Sequence, residues 1–517
     1  MSASLGAFAA PWRYHLDHNG DAKFRDTRKS QFPDYYHRQT AGQIADAGAD
    51  ADADADALIT TSQIHSFQLG TGASIYTQSI LPAILQARRE IILVTCFWAP
   101  SDTLTALSNT IAQLAQERER RISQQGVAIE PLRIRICFSS RSLFQKLFHP
   151  NSKDGFVYPP HTWPSKLGLP TPEALRAGGI DLQVKTLFFL PFSVMHPKFV
   201  VIDRQRAWLP SCNVSWEPWL EGCVEISGSA VAKLMRFYQS VWETHLPALP
   251  PDSDARPPSS PELAPSWLTE IQSPASRFSP LSMDAIPTVL LPSSHHQNPC
   301  FRPFPWMDDP KPPLTPLNVA VTCLLEVAQR SIYIQTPNLT SAAVIDGILQ
   351  ALGRGVHVTI VTGKSMMLLE QIATAGTTTA RCLKSLIHRY HNLKGSASSA
   401  VQSHGGNPSG TNQDVDLEAG RPRLGRLHIA HFRPGLEYQA GGISEEPVQS
   451  HLKLTIVDDE YIVLGSGNMD RASWFTSQEL GVLFRSVQFA NIISSHVDDV
   501  LRTRTTPVFE SGRARDD

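Results

Sequence analysis

Two segments of this chain each put an imidazole and an ammonium group on alternate residues. The first is HPKFVVID, with His196, Lys198 and Asp203; the second is HLKLTIVD, with His451, Lys453 and Asp458. Both are dense in apolar and β-branched residues and are predicted to be strand-like, so that residues i and i+2 share a face. An imidazole beside an ammonium suits phosphoryl chemistry. The imidazole can attack phosphorus or deliver a proton, and the ammonium neutralises charge on the oxygens. Two imidazoles with ordinary pKa values near ~6.5 can divide those two roles if their surroundings differ.

The residues that follow repeat as well. LPSCNVS supplies Ser211 and Asn213, and VLGSGNMD supplies Ser466 and Asn468. Glu225 lies 29 residues after His196, and Glu479 lies 28 after His451. A lone strand histidine is most often a core or surface residue. An Asn is often only a turn former, and a Glu beside an apolar run can be a strand-edge charge. The agreement of two sets of offsets favours the functional reading for all of them.

Each set must be positioned by a common frame, and one is visible. SIYTQSILPAILQARREIILVTCFWAP reads as helix then buried strand, as does PLNVAVTCLLEVAQRSIYIQTPNLT, and each is followed by a further helix and strand. The internal repeat is roughly 240–255 residues long, from comparison of the two series. It divides the chain into a weakly ordered segment 1–62, a first half 63–246, a proline-rich linker 247–315, a second half 316–501 and a tail 502–517. Within the second half, the Gly-, Ser- and Asn-rich stretch 395–423 reads as a disordered or loop insertion. Ala45 to Ala57 alternates alanine with aspartate apart from Gly48, and reads as a solvated acidic segment or a short charged helix.

Composition excludes little. A net charge of −2 gives no global pull toward nucleic acid, although a local basic groove is compatible with it. Seven cysteines without a CxxC pair read as free thiols of a reducing compartment rather than as a zinc site or disulfide frame. No apolar run has the length of a membrane-spanning helix, and the N-terminus lacks a signal-like apolar core. The expected location is intracellular, cytoplasmic or peripheral to a membrane.

The paired HxKxxxxD motifs, with GSGN in the second half, resemble the phospholipase D superfamily over residues 63–484, apart from the linker and insertion. The resemblance implies an α/β fold: two similar α/β/α sandwich halves with mixed sheets, a pseudo-two-fold relation and one composite active site. It implies cleavage of phosphodiesters through a covalent phosphohistidine, with His196 as nucleophile and His451 as general acid, although the sequence itself does not break that symmetry. Lys198 and Lys453 would neutralise the phosphate, and Asn213 and Asn468 would donate to it. Ser211 and Ser466 flank the phosphate site. Glu225 and Glu479 would hold the imidazoles through Nδ1. Asp203 and Asp458 complete the motifs, as structural partners of the lysines or the backbone. No metal and no cofactor are expected. One departure stands out: Pro210 and Cys212 replace Gly465 and Gly467 of the second half, at positions where glycine best allows close approach to a phosphate.

Three functions fit the motifs. The first is hydrolysis of, or phosphatidyl transfer from, a glycerophospholipid, with peripheral membrane contact and no stable nucleic-acid complex. The others are a metal-independent nuclease and a catalytically silent lipid-binding or scaffold protein. Aromatic clusters at 156–164, 187–192, 216–219 and 301–306 would serve as acyl-chain contacts if exposed, or as core if buried. Oligomeric state is not written in the sequence.

Overall fold

The computed structural model describes residues 58–125, 130–141, 155–189, 193–215, 218–243, 245–249, 273–294, 311–364, 366–402, 424–435 and 445–511. The first half contains β1 (Ile59–Thr71), β2 (Glu90–Phe97), β3 (Leu132–Ser140), β4 (Phe156–Val157), β5 (Ile180–Thr186), a small hairpin of β6 (Phe188–Phe189) and β7 (Ser193–Val194), β8 (Phe199–Ile202), β9 (Arg206–Pro210) and β10 (Trp219–Ser227). The second contains β11 (Arg277–Ser293), β12 (Ser331–Thr336), β13 (His357–Thr362), β14 (Leu427–Phe432), β15 (Gln449–Ser450), β16 (Leu454–Val457), β17 (Tyr461–Gly465), β18 (Glu479–Arg485) and β19 (Thr505–Glu510).

All but the hairpin join one mixed sheet among the described residues. Its order through the first half is β4-β5-β3-β2-β8-β9-β10-β1. It continues as β11-β18-β17-β16-β12-β13-β14-β19. Matched from β1 and β11 outward, the two orders correspond strand for strand as far as β5 and β14. In each half three strands run parallel and the motif-bearing strand, β8 or β16, runs antiparallel beside them. β1 and β11 pair antiparallel, which is the relation a two-fold axis between the halves would generate.

Side-chain alternation on these strands creates layers. On β2, Ile91 and Leu93 pack outward against the helix Asp102–Gln125, while Ile92 and Val94 point into a central core. On β17, Val463 packs outward beside the helices Pro316–Val327 and Ala342–Gly353, while Ile462 and Leu464 face inward. The central core draws residues from both halves, including Leu234 and Phe237 of the helix Ser229–Val241 and Phe489 and Ile493 of the helix Val487–Leu501. The molecule is therefore an α/β protein whose halves share a core.

Several boundaries differ from the sequence reading. The stretch 247–315 is not all linker, because it contains β11. This 17-residue strand joins β1 to β18 at the middle of the sheet. Its three prolines, Pro280, Pro287 and Pro292, hide it from a reading that treats proline as a strand breaker. Order begins at Leu58 rather than at 63, and most of segment 1–62 lies outside the described residues. The helix Thr379–Gln402 runs into the stretch 395–423, the rest of which lies outside them. β19, within the expected tail, pairs with β14. Tyr158, Trp163, Leu187 and Phe188 are core residues, stacked around Phe138 and Trp98 or packed beneath the sheet. The cluster at 301–306 and Trp216 lie outside the described residues.

Candidate active site

Both His-x-Lys pairs lie in extended lead-ins just before β8 and β16, and the opposite half holds each lead-in. The His196 N–H donates to the Gln478 carbonyl at 3.0 Å, and the Gln478 N–H donates to the Val194 carbonyl at 3.0 Å. The His451 N–H donates to the Leu220 carbonyl at 2.9 Å, where β15 runs parallel to β10. The residue after each of these partners is a glutamate, and it takes the imidazole. His196 Nδ1 lies 2.8 Å from Glu479 Oε2, and His451 Nδ1 lies 2.8 Å from Glu221 Oε1. Each imidazole–carboxylate pair thus crosses between halves, in backbone and in side chain.

Glu221, not Glu225, is the first-half partner. Glu225 forms an ion pair with Arg206 at 2.7 Å and accepts from Ser66 Oγ at 2.9 Å. The offset counted from the histidine misleads because the second half inserts a helical turn, Arg471–Phe475, between Asn468 and Glu479. Glu221 and Glu225 also share strand parity on β10, so alternation cannot separate them. The serines identify the true equivalence. Ser211 Oγ donates to Glu221 and accepts from the Gly222 N–H at 2.9 Å. Ser466 Oγ donates to Glu479 and accepts from the Leu480 N–H at 3.0 Å. Glu479 takes a further bond from Ser473 Oγ at 2.7 Å, which has no sequence counterpart in the first half.

The other motif residues divide by role. Asp203 accepts from the N–H groups of Arg88, Arg89 and Glu90, and Asp458 accepts from those of Gln329, Arg330 and Ser331. Both aspartates sit at positive φ in the turn after their strand. They brace the start of β2 and β12 through the backbone rather than through the lysines. Asn213 Oδ1 accepts from the Cys96 and Phe97 N–H groups at 3.2 Å. Asn468 donates one of its two Nδ2 hydrogens to Asp470 Oδ2 at 3.0 Å.

The Cys212 departure has a packing explanation. A Cβ added to Gly467 would come within 2.7 Å of Leu317 Cδ2; one added to Gly72 would meet Cys212 Cβ at 3.2 Å. Gly72 is the first helical residue after the N-cap Thr71, and Leu317 the second after the N-cap Thr315. The small residue has changed sides of the same contact, so Cys212 fits without displacing its loop.

Electrostatically the site is a buried cluster of two imidazoles, two lysines and two carboxylates. Burial would raise Glu221 and Glu479, but the neighbouring histidines and serine hydrogen bonds outweigh it, and both carboxyls titrate below their usual range. Burial pushes His196 down, with Lys198 adding to that effect against the pull of Glu479. Burial likewise takes His451 to about 4, despite Glu221. Lys453 is pushed down to about 7, chiefly by burial. The halves are not equivalent in detail. Lys453 Nζ lies 2.7 and 2.8 Å from the two ring nitrogens of His451, whereas Lys198 Nζ donates to the His196 carbonyl. The Trp219 ring leans over His451 at 5.0 Å between centroids. The His196 side chain keeps 14% of its surface exposed and that of His451 only 5%.

Comparison with known families adds the decisive observation: residues 321–501 match the family described as cardiolipin synthase, PLD-like domain. Over that segment the chain is similar to the phospholipase D superfamily. No curated protein sequence matches it. Among solved structures, it is similar to phosphatidylserine synthase from Haemophilus influenzae Rd KW20, at 13% identity and a TM-score of 0.48, over 87% of this chain and 89% of that one. It is also similar to polyphosphate kinase from Porphyromonas gingivalis, at 11% identity and TM-score 0.41, over 84% and 47%. Nuc from Salmonella typhimurium, a phospholipase D family member, aligns at 17% identity and TM-score 0.24, over 37% and 90%. The family match covers the second motif, while the first motif, outside it, enters the same site through the crossed pairs described above.

Proposed function

We propose that this protein is a phosphodiesterase of the phospholipase D type that hydrolyses or transphosphatidylates glycerophospholipids through a covalent phosphohistidine. The observation that carries the reading is the crossed pair of imidazole–glutamate hydrogen bonds. Each Glu accepts the Nδ1 proton and leaves Nε2 as the reactive nitrogen. With two buried lysines beside them, the imidazoles face a ready cradle for a phosphate anion.

In the first step His196 Nε2 attacks phosphorus, the bond to the leaving alkoxide breaks, and the alkoxide takes a proton from the His451–Lys453 pair. The greater exposure of His196 supports its role as nucleophile. Lys453, close to neutral in affinity for its proton and 2.8 Å from His451 Nε2, can resupply the imidazole. In the second step, water or an alcohol gives its proton to the same pair and attacks the phosphohistidine. The P–N bond breaks and His196 is restored. Water yields phosphatidate, and an alcohol yields a new phosphodiester.

The test is one panel. Purified protein is given phosphatidylcholine, phosphatidylglycerol, cardiolipin and single-stranded DNA, each with and without EDTA, and with His196→Ala as control. Lipid turnover that survives EDTA and is lost in the variant is the expected result. DNA cleavage without lipid turnover would replace this reading with a nuclease, and no turnover of any substrate would replace it with a silent scaffold. Adding a primary alcohol separates hydrolysis from transfer.

A further inference from the structure

The helix Leu368–Ala375 exposes its apolar face. Leu369 is 85% exposed, the highest value of any large hydrophobic among the described residues; Ile372 is 54%, Leu368 43% and the preceding Met367 38% exposed. At roughly 100° per residue, Leu368, Ile372 and Leu369 fall within an arc of about 100°. The side next to Leu368 is tied down. Gln371 is buried and accepts the Thr379 N–H at 2.6 Å. The ridge is therefore held outward by a fixed inner face.

Its position is tied to the active site. The Arg471 guanidinium donates to the Thr374 carbonyl at 3.1 Å, and Arg471 follows Asp470, the partner of Asn468. Thr379 Oγ1 accepts the Leu339 N–H at 3.0 Å, and Leu339 bridges Met469. The helix thus adjoins the loop that carries Asn468.

Charge completes the pattern. Residues 364–394 carry five basic residues, Lys364, Arg381, Lys384, Arg389 and Lys394, against one acidic residue, Glu370, in a chain of net charge −2. Lys364, three residues before Met367, and Arg381 and Lys384, in the first turns of the helix Thr379–Gln402, are exposed. Arg389 pairs with Asp346 at 2.7 Å. Exposed apolar side chains flanked in sequence by exposed cations match an anionic bilayer surface, where the first enter the acyl boundary and the second meet the head groups.

We infer that the ridge Met367–Ile372 docks the catalytic body on anionic phospholipid membranes. Leu368, Leu369 and Ile372 insert into the interface while Lys364, Arg381 and Lys384 contact head groups. The inference deepens the lipid reading of the same site, but its test does not need turnover.

The full-length chain is mixed with vesicles of phosphatidylcholine alone or with phosphatidylglycerol in equal parts, and binding is read by flotation. The wild type is expected to float with the anionic vesicles, less so as salt is added. The double substitution L369Q/I372Q is expected to weaken binding by about tenfold or more. It should leave hydrolysis of a soluble chromogenic phosphodiester and the thermal midpoint unchanged. Leu369→Trp provides a second readout, a blue shift of its added emission when anionic vesicles are present. Wild-type protein that does not float, or equal flotation of the double variant, overturns the inference. So does an emission spectrum of the Leu369→Trp variant that vesicles leave unshifted. A double variant that turns a dimer into a monomer while floating normally makes the ridge a protein–protein surface instead. Normal flotation without lipid turnover by the wild type leaves docking intact and counts against the catalytic reading alone.

Discussion

At the scale of single residues, the carboxylate beside each imidazole decides whether Nε2 can act. Glu221 and Glu479 are buried acceptors of Nδ1, so Glu221→Gln and Glu479→Gln should each lower kcat by about 10²–10⁴-fold, as the loss of a tautomer-fixing carboxylate does elsewhere. Glu225→Gln should change kcat by no more than a few fold, since its contacts are Arg206 and Ser66. Steady-state rates of the three variants check this, and a Glu225 variant as impaired as the other two would contradict the assignment. The two histidines, two lysines and Glu479 were legible in the sequence because the motif repeats. Glu221 was not, because the helical turn Arg471–Phe475 shifts the second-half count by three residues relative to the first. Lys453 gives a pH-dependent prediction. Its folded pKa of about 7 lies below the ordinary value of a lysine, so burial makes its charged form a cost to stability at neutral pH. Between that pKa and about 10.4 the unfolded chain keeps a proton that the folded chain has released, and stability from this group rises with pH across the window. Lys453→Met should therefore abolish turnover yet raise the thermal midpoint near pH 6.5, with the gain shrinking toward pH 9.5; melting curves at the two pH values measure it.

At the scale of elements, the strand ends carry the serines that position the glutamates, and the two halves solve this differently. Gly465 closes β17 at φ +149°, where an added Cβ would meet the Leu480 carbonyl oxygen at 2.3 Å and Gly481 Cα at 2.7 Å. Neither is a flexible side-chain end, so the strands would have to part. Gly465→Ala should cost roughly 2 kcal/mol or more of stability. It should also lower turnover, because Ser466 leaves from that point to reach both Glu479 and the Leu480 N–H. Chemical denaturation and kcat measured on the same preparation check both effects. Gly467→Ala should act similarly through Leu317, and the pair G467A/L317A should recover part of the loss, since the first half tolerates Cys212 opposite Gly72. The helix–strand series around these positions was legible from apolar periodicity. β11 was not, because three prolines and flanking proline-rich sequence outweighed its alternating apolar residues. What makes it a strand is tertiary pairing on both edges with β1 and β18, and a local reading cannot register that.

At the scale of the whole molecule, the crossed contacts mean that neither half by itself holds both partners of an imidazole–carboxylate pair. Within either half, a histidine has its own lysine but not its carboxylate, and its lead-in lacks the carbonyl that fixes it: Gln478 for His196, Leu220 for His451. The halves also share the central core and the β1–β11 ladder, so separating them exposes apolar surface along the join. Residues 58–249 and 273–511, produced separately, should each show no turnover of a phosphodiester that the intact chain hydrolyses. Mixed, they should recover activity only as they associate, with a rate that rises with the concentration of either fragment. The same mixture in which the first fragment carries Glu221→Gln should associate equally well and stay inactive, because the defect then lies opposite His451 in the other fragment. Sedimentation measures association and turnover measures assembly of the site. Appreciable activity in either fragment alone would show that one motif suffices, and would remove the chemical need for a second.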